Sequence, residues 1–179
     1  YLENAEKQFG YDFEAGEGIH LEPLGVFSQK HKSLDELPNG GTIGIISDTS
    51  NQERALRLLA TQGLVSIPEG EGDVNVNTVT KLKDFSFNEV EGPQLVRSLE
   101  DFDFAVINGN FAQEGGLSLS GDALVVESPV DNPAVNVLVW KNGSDKAAAI
   151  AKLEELLHSD QVKQYIESTW SDGSVIPAF

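Results

Sequence analysis

The sequence contains no cysteine and no methionine among its 179 residues. The first absence removes disulfides, thiol catalysis and every Cys-ligated zinc or iron site, and it leaves the compartment open. The second means that the chain, which begins at Tyr1, lacks the residue with which translation starts. It therefore reads as a processed product or an excerpt, with any signal peptide or lipid-attachment cysteine upstream. Basic residues are scarce: 12 Lys and Arg stand against 29 Asp and Glu, a formal net charge of −17. Such a surface repels phosphate, which argues against nucleic acid and anionic membrane surfaces as partners, because both are held largely by Lys and Arg. Apolar residues never run to the roughly eighteen in a row that a membrane-spanning helix needs.

Chemistry-bearing groups are thin as well. The histidines, His20, His31 and His158, fall in separate segments, and no G-x-S-x-G or Cys–His arrangement accompanies them, so no catalytic residue is assigned. G-x-G-x-x-G and P-loop patterns are missing, which leaves nucleotide binding without support. His20 and Glu22, two apart on one strand face, offer either a shared metal or a plain structural pair. The acidic loop at 68–77, with Glu69, Glu71 and Asp73, lacks the spacing of an EF-hand and reads as solvated surface. Glu154 and Glu155 read as the outer, solvated face of a helix. Neither a metal nor a cofactor is expected.

What is present is an alternation of strands and helices. With 40% apolar residues the chain can bury a core. Residues 42–46 form a short β-branched run after the turn signal Pro38-Asn39-Gly40-Gly41 and read as a buried strand. Ser50 and Glu53 have the spacing of a capping box for the following helix, in which Ala55, Leu58, Leu59 and Gln62 share a side before Gly63 ends it. Residues 85–90 and 104–107 read as further strands, with a short helix opened by Pro93 between them. This order implies an α/β fold with a parallel sheet. Two more strands are expected at 123–126 and 135–140, and amphipathic helices at 1–9, 145–158 and 160–170.

In open α/β sheets, ligands sit at the carboxyl ends of the strands. The loop Ser47-Asp48-Thr49-Ser50-Asn51 joins such a strand end to a helix N-terminus, where free backbone N–H groups and the helix dipole favour an anionic ligand group. Asn108 and Asn110 follow another strand, although turns favour Asn on their own account. Arg97, one of three arginines, offers a fork of donors for a carboxylate, or an ion pair with Glu100 or Asp101.

Several stretches, in order along the chain, closely resemble the NlpA family, the methionine-binding lipoproteins of ABC importers. They are His20-Leu-Glu-Pro-Leu-Gly-Val-Phe-Ser28, Ser33-Leu-Asp-Glu-Leu-Pro38, the helix with Asn51, Arg54, Ala55 and Leu56, Gln94-Leu-Val-Arg97-Ser-Leu-Glu-Asp101, Ala105-Val-Ile-Asn-Gly-Asn110, Asn132-Pro133 and Val175-Ile-Pro-Ala-Phe179. The resemblance implies a type II periplasmic-binding-protein fold: two lobes with parallel-sheet cores joined by crossover strands. Lobe 1 would comprise 1–29 and 128–179 and would be incomplete, lacking N-terminal strands and pocket residues of the family, and lobe 2 would be 30–127. It further implies a non-enzyme that captures L-methionine or a close analogue by lobe closure. Its partners would be an importer's permease and ATPase subunits, and its place outside the cytoplasm, held to the membrane by an upstream lipid anchor. Arg97 would hold the ligand carboxylate, Asn108 and Asn136 its polar end, and Asn51 would face the cleft. Ala134 stands where family members carry a Tyr or similar residue, so the pocket near Asn136 is expected to differ in shape. Alternatives are a binding protein for a methionine-containing dipeptide or another small amino acid, and a surface interaction or adhesin module.

Overall fold

The computed structural model describes residues 1–70, 72–130 and 132–179; Glu71 of the acidic loop lies outside the described residues. In chain order the elements are α1 (Leu2–Phe9), β1 (Phe13–Leu21), β2 (Leu24–Phe27), β3 (Gly41–Ile46), α2 (Thr49–Thr61), β4 (Val65–Ser66), β5 (Thr80–Lys81), β6 (Phe85–Val90), α3 (Gly92–Arg97) and β7 (Phe104–Asn108). They continue with α4 (Gly109–Glu114), α5 (Leu119–Asp122), β8 (Val125–Val126), β9 (Asn136–Lys141), α6 (Ala147–Leu157), α7 (Asp160–Thr169) and β10 (Ile176–Pro177). Among the described residues no helix is long and apolar enough to cross a membrane.

The chain divides into two units, Tyr1–Glu22 with Ser128–Phe179, and Pro23–Glu127. The sequence reading carried the first lobe on to 29; the structure gives 23–29 to the second unit, because β2 pairs antiparallel with β7 and β8 there.

The second unit is built on a five-stranded sheet in the order β6-β3-β7-β2-β8, with β3 parallel to both β6 and β7. Its central strands are apolar on both faces, as a covered sheet requires. Along β7 the side chains alternate: Phe104 and Val106 join Ile43, Ile45, Ala55, Leu56 and Leu59 on the α2 side, whereas Ala105 and Ile107 join Leu95, Leu99 and Ala112 on the α3 and α4 side. Gly44 is required by this packing, since a Cβ there would stand 2.6 Å from the Phe102 ring. The cap of α2 is not Ser50, as the capping-box spacing suggested, but Asp48, whose side chain accepts the N–H of Asn51. Ser50 lies inside the helix and Glu53 pairs with Arg57 instead. Gly63 ends the helix with a φ of 70°, in the left-handed region.

The first unit holds an antiparallel sheet, β10-β1-β9, with α1, α6 and α7. The register of β1 against β9 slips on either side of Gly18. Its helices are less covered than their periodicity suggests: α6 buries no residue, Leu153 and Leu156 are exposed, and only Ile166 of α7 is buried. Glu154 departs from the solvated role expected of it. Its Oε1 is shielded from water without a hydrogen-bond partner among the described residues and lies over Gly16, while Glu155 pairs with Lys152 at the surface.

Candidate ligand-binding site

The parallel arrangement of β3, β6 and β7 brings their carboxyl ends to one rim of the second unit, where α2, α3 and α4 begin. Gln52, 3% exposed, anchors this rim from beneath. Its Nε2 donates to the Ile46 carbonyl at 2.9 Å and to Glu89 at 2.8 Å, and its Oε1 accepts the Val76 N–H at 3.2 Å. One side chain thereby fixes the ends of β3 and β6 and the loop before β5.

Two of the asparagines singled out from sequence meet here. Asn108 closes β7 and is 7% exposed; its Nδ2 donates to Asn51 Oδ1, in the first turn of α2, at 3.0 Å. Asn51 in turn donates its backbone N–H and its Nδ2 to Asp48 Oδ1, each at 2.9 Å. The other amide oxygen of the pair, Asn108 Oδ1, is buried and has no hydrogen-bond partner among the described residues. A buried carbonyl without a donor costs about 1 to 3 kcal/mol, a cost that a ligand donor reaching this oxygen would relieve. Asn110 is half-buried in α4.

Arg97 ends α3 on the same unit. It does not form the ion pair with Glu100 or Asp101 that local sequence offered; its side chain is exposed and makes neither a hydrogen bond nor an ion pair among the described residues. It lines a pocket of about 150 Å³ with Pro93, Val96, Phe111, Glu114 and Gly115. Close packing shapes that pocket, since a Cβ on Gly92 would strike the Phe111 ring and one on Gly115 would strike Val96. No hydrogen bond links Arg97 to the asparagine pair. Asn136 opens β9 in the first unit, exposed, with His20 opposite it in the register.

His20 and Glu22 hydrogen-bond to each other at 3.2 Å, the structural pairing of the two readings. A larger cavity of about 340 Å³ lies in the first unit beside Glu14, Trp140, Ile150 and Glu154, and contains none of the site residues expected from sequence. The residue that sequence reasoning missed is Asp48. The preference of helix N-caps for Asp was the available signal, and the Ser50–Glu53 spacing outcompeted it.

The same chain trace is found in solved substrate-binding proteins. A lipoprotein structure from Actinomyces odontolyticus is 86% identical, with a TM-score of 0.93 over 100% of this chain and 74% of that one. A nutrient binding protein from Burkholderia cenocepacia, solved bound to methionine, is 33% identical, with a TM-score of 0.89 over 100% of this chain and 76% of that one. The fold is that of the periplasmic substrate-binding proteins, mixed α/β with parallel and antiparallel strands. Residues 1–179 match the model of the NlpA lipoproteins, and the chain belongs to that family. Among curated relatives, the methionine-binding lipoprotein MetQ of Bacillus subtilis is 34% identical over 99% of this chain and 66% of its own length. The chain thus spans about two thirds of the curated relatives it matches.

Proposed function

We infer that this chain belongs to a solute-binding lipoprotein that captures methionine outside the cytoplasm and hands it to an ABC importer, without catalysing a reaction. The observation that carries the reading is the buried, unpartnered Oδ1 of Asn108, an acceptor waiting for a ligand donor. An α-ammonium group supplies such a donor with a charge, which makes the stronger kind of hydrogen bond. Arg97, with no partner among the described residues, offers the guanidinium fork for the α-carboxylate, and Asn136 a further amide for the ligand's polar end. Asn51 acts on Asn108 and faces the same rim. In this reading the two units are the two lobes, and residues 23–127 are the second. Capture by closure requires that the ligand bind the closed form more tightly than the open one. The permease and ATPase subunits of the importer, and an upstream lipid anchor, complete the assignment.

Isothermal titration of the purified protein with L-methionine tests it. One molecule bound per chain is the expected result. Binding of a methionine-containing dipeptide or another small amino acid in its place would move the ligand, and binding of none of them would favour a surface interaction module.

A further inference from the structure

Asp48 caps α2, and its Oδ1 receives both the backbone N–H and the side-chain Nδ2–H of Asn51. A carboxylate has no proton to give. The amide of Asn51 is therefore held with its nitrogen toward Asp48 and its oxygen away. That oxygen can only accept, so Asn108 must turn its Nδ2 toward Asn51, where the distance is 3.0 Å. The orientation of Asn108 follows by elimination: its Oδ1 is the atom left facing the rim, buried and unpartnered. Without a fixed acceptor at the far end, both amides could rotate by half a turn with little change in shape. The rim would then present an N–H where an ammonium group has to dock.

We propose that Asp48 is a positioning residue: through two amides it fixes Asn108 as a hydrogen-bond acceptor and so makes the site selective for ligands that carry a primary ammonium group. The inference rests on the reading of this rim as the amino-acid site. Asp48 touches no ligand; it acts by removing the alternative orientation. The polarity runs in one direction only, because each link can be satisfied in one way once the carboxylate is in place.

The decisive variant is Asp48→Gly, since Gly is tolerated at a helix N-cap at small cost and the fold is kept, while the acceptor that holds the Asn51 amide is removed. Affinities are measured by calorimetry for L-methionine and for 4-(methylsulfanyl)butanoate, which is methionine without its amino group. The expected result is a loss of about tenfold for methionine, with less than about twofold for the desamino acid. Equal losses for both ligands, or no loss for either, would overturn the proposal, since a merely structural cap cannot distinguish them. Neutron diffraction of deuterium-exchanged, ligand-free crystals reads the orientation without any ligand. Deuterium on the Asn108 atom facing Asn51 in the unmodified protein, and a mixed orientation in Asp48→Gly, are expected; oxygen facing Asn51, or the same single orientation in both proteins, overturns the relay. If the unmodified protein binds no methionine, the methionine reading fails by itself, and the neutron comparison still decides the role of Asp48.

Discussion

Arg54 of α2 grips the carboxylate of Glu127, its Nε lying 2.7 Å from Oε1 and 3.0 Å from Oε2, and the same carboxylate accepts the backbone N–H of Leu24 at 3.1 Å. The chain enters the second unit at Pro23 and leaves it at Glu127, so one ion pair ties both passages to the helix that carries Asn51. The side chains are only 14% and 13% exposed, which separates this pair from the surface pairs Arg57–Glu53 and Lys152–Glu155. Removing one member of a buried pair leaves a charge without compensation. Arg54→Ala is expected to lower unfolding stability by about 3 to 5 kcal/mol, read as a shift of the urea midpoint. A loss under about 1 kcal/mol would place the pair with exposed ones.

Arg97→Ala should separate binding from stability. The side chain is exposed and pairs with nothing among the described residues, so the melting temperature should hold. Affinity for methionine should fall at least about tenfold, on the order of 1.5 to 3 kcal/mol for a lost charge-assisted contact. Unchanged affinity in that titration removes Arg97 from the site.

Asp103 predicts an acid dependence. Burial pushes its carboxyl up, but hydrogen bonds from His31 and Thr42, with the charge of Lys30, outweigh this and hold it below its ordinary value of 3.8. Its Oδ2 accepts the Thr42 N–H at 2.8 Å and Oδ1 pairs with His31 Nε2 at 3.1 Å; Glu36 faces the other ring nitrogen of His31. A carboxyl with a depressed folded-state pKa contributes stability that is present above its unfolded value and is lost as pH falls through the folded value. Unfolding measured between pH 5 and pH 2 (the range around about 4 in which free Asp titrates) should therefore show a steeper acid loss in the unmodified protein than in Asp103→Asn. Parallel profiles would assign the acid loss to other groups.

Gly44→Ala tests the packing of the sheet on α3. The added Cβ would meet the Phe102 ring at 2.6 to 2.7 Å and Leu95 at 3.1 Å, and a buried ring has little room to yield. Overpacking of this kind costs typically about 1 to 3 kcal/mol, which denaturant unfolding resolves.

The parallel core was legible because its signals are local: apolar runs such as 42–46 and 104–107 lie between turn residues, and Gly63 marks a helix end. Of the antiparallel additions, β8 was expected as a strand at 123–126 and β2 was not, and the pairing of neither was legible, since it joins segments far apart in sequence and nothing in either segment specifies the partner. The same limit governed the site. Asn51 and Asn108 were placed by the strand-end rule and by family resemblance, but their hydrogen bond spans 57 positions, and the Arg54–Glu127 pair spans 73. Asp48 was missed for a different reason. Its own cap signal overlapped a capping-box spacing two residues on, and the burial of Asn108, which turns a cap into an orienting group, is a tertiary fact.

Asn108 also carries a prediction about the cost of function. Sequences usually agree with their fold at every level, and the exceptions gather where a ligand completes the structure. Here the exception is one buried oxygen, left without a donor among the described residues. Asn108→Leu removes that oxygen and gives up one hydrogen bond to Asn51, whose half-buried side chain can turn to water instead. The unsatisfied acceptor costs about 1 to 3 kcal/mol and the lost hydrogen bond is worth about 1 kcal/mol, so the ligand-free variant should be as stable as the unmodified protein or more so. Methionine binding should be lost, and with it the rise in melting temperature that a bound ligand confers on the unmodified protein. A variant that is clearly less stable without ligand would show that Asn108 holds the ends of β7 and α2 together in its own right. One that still binds would show that the ammonium group docks elsewhere.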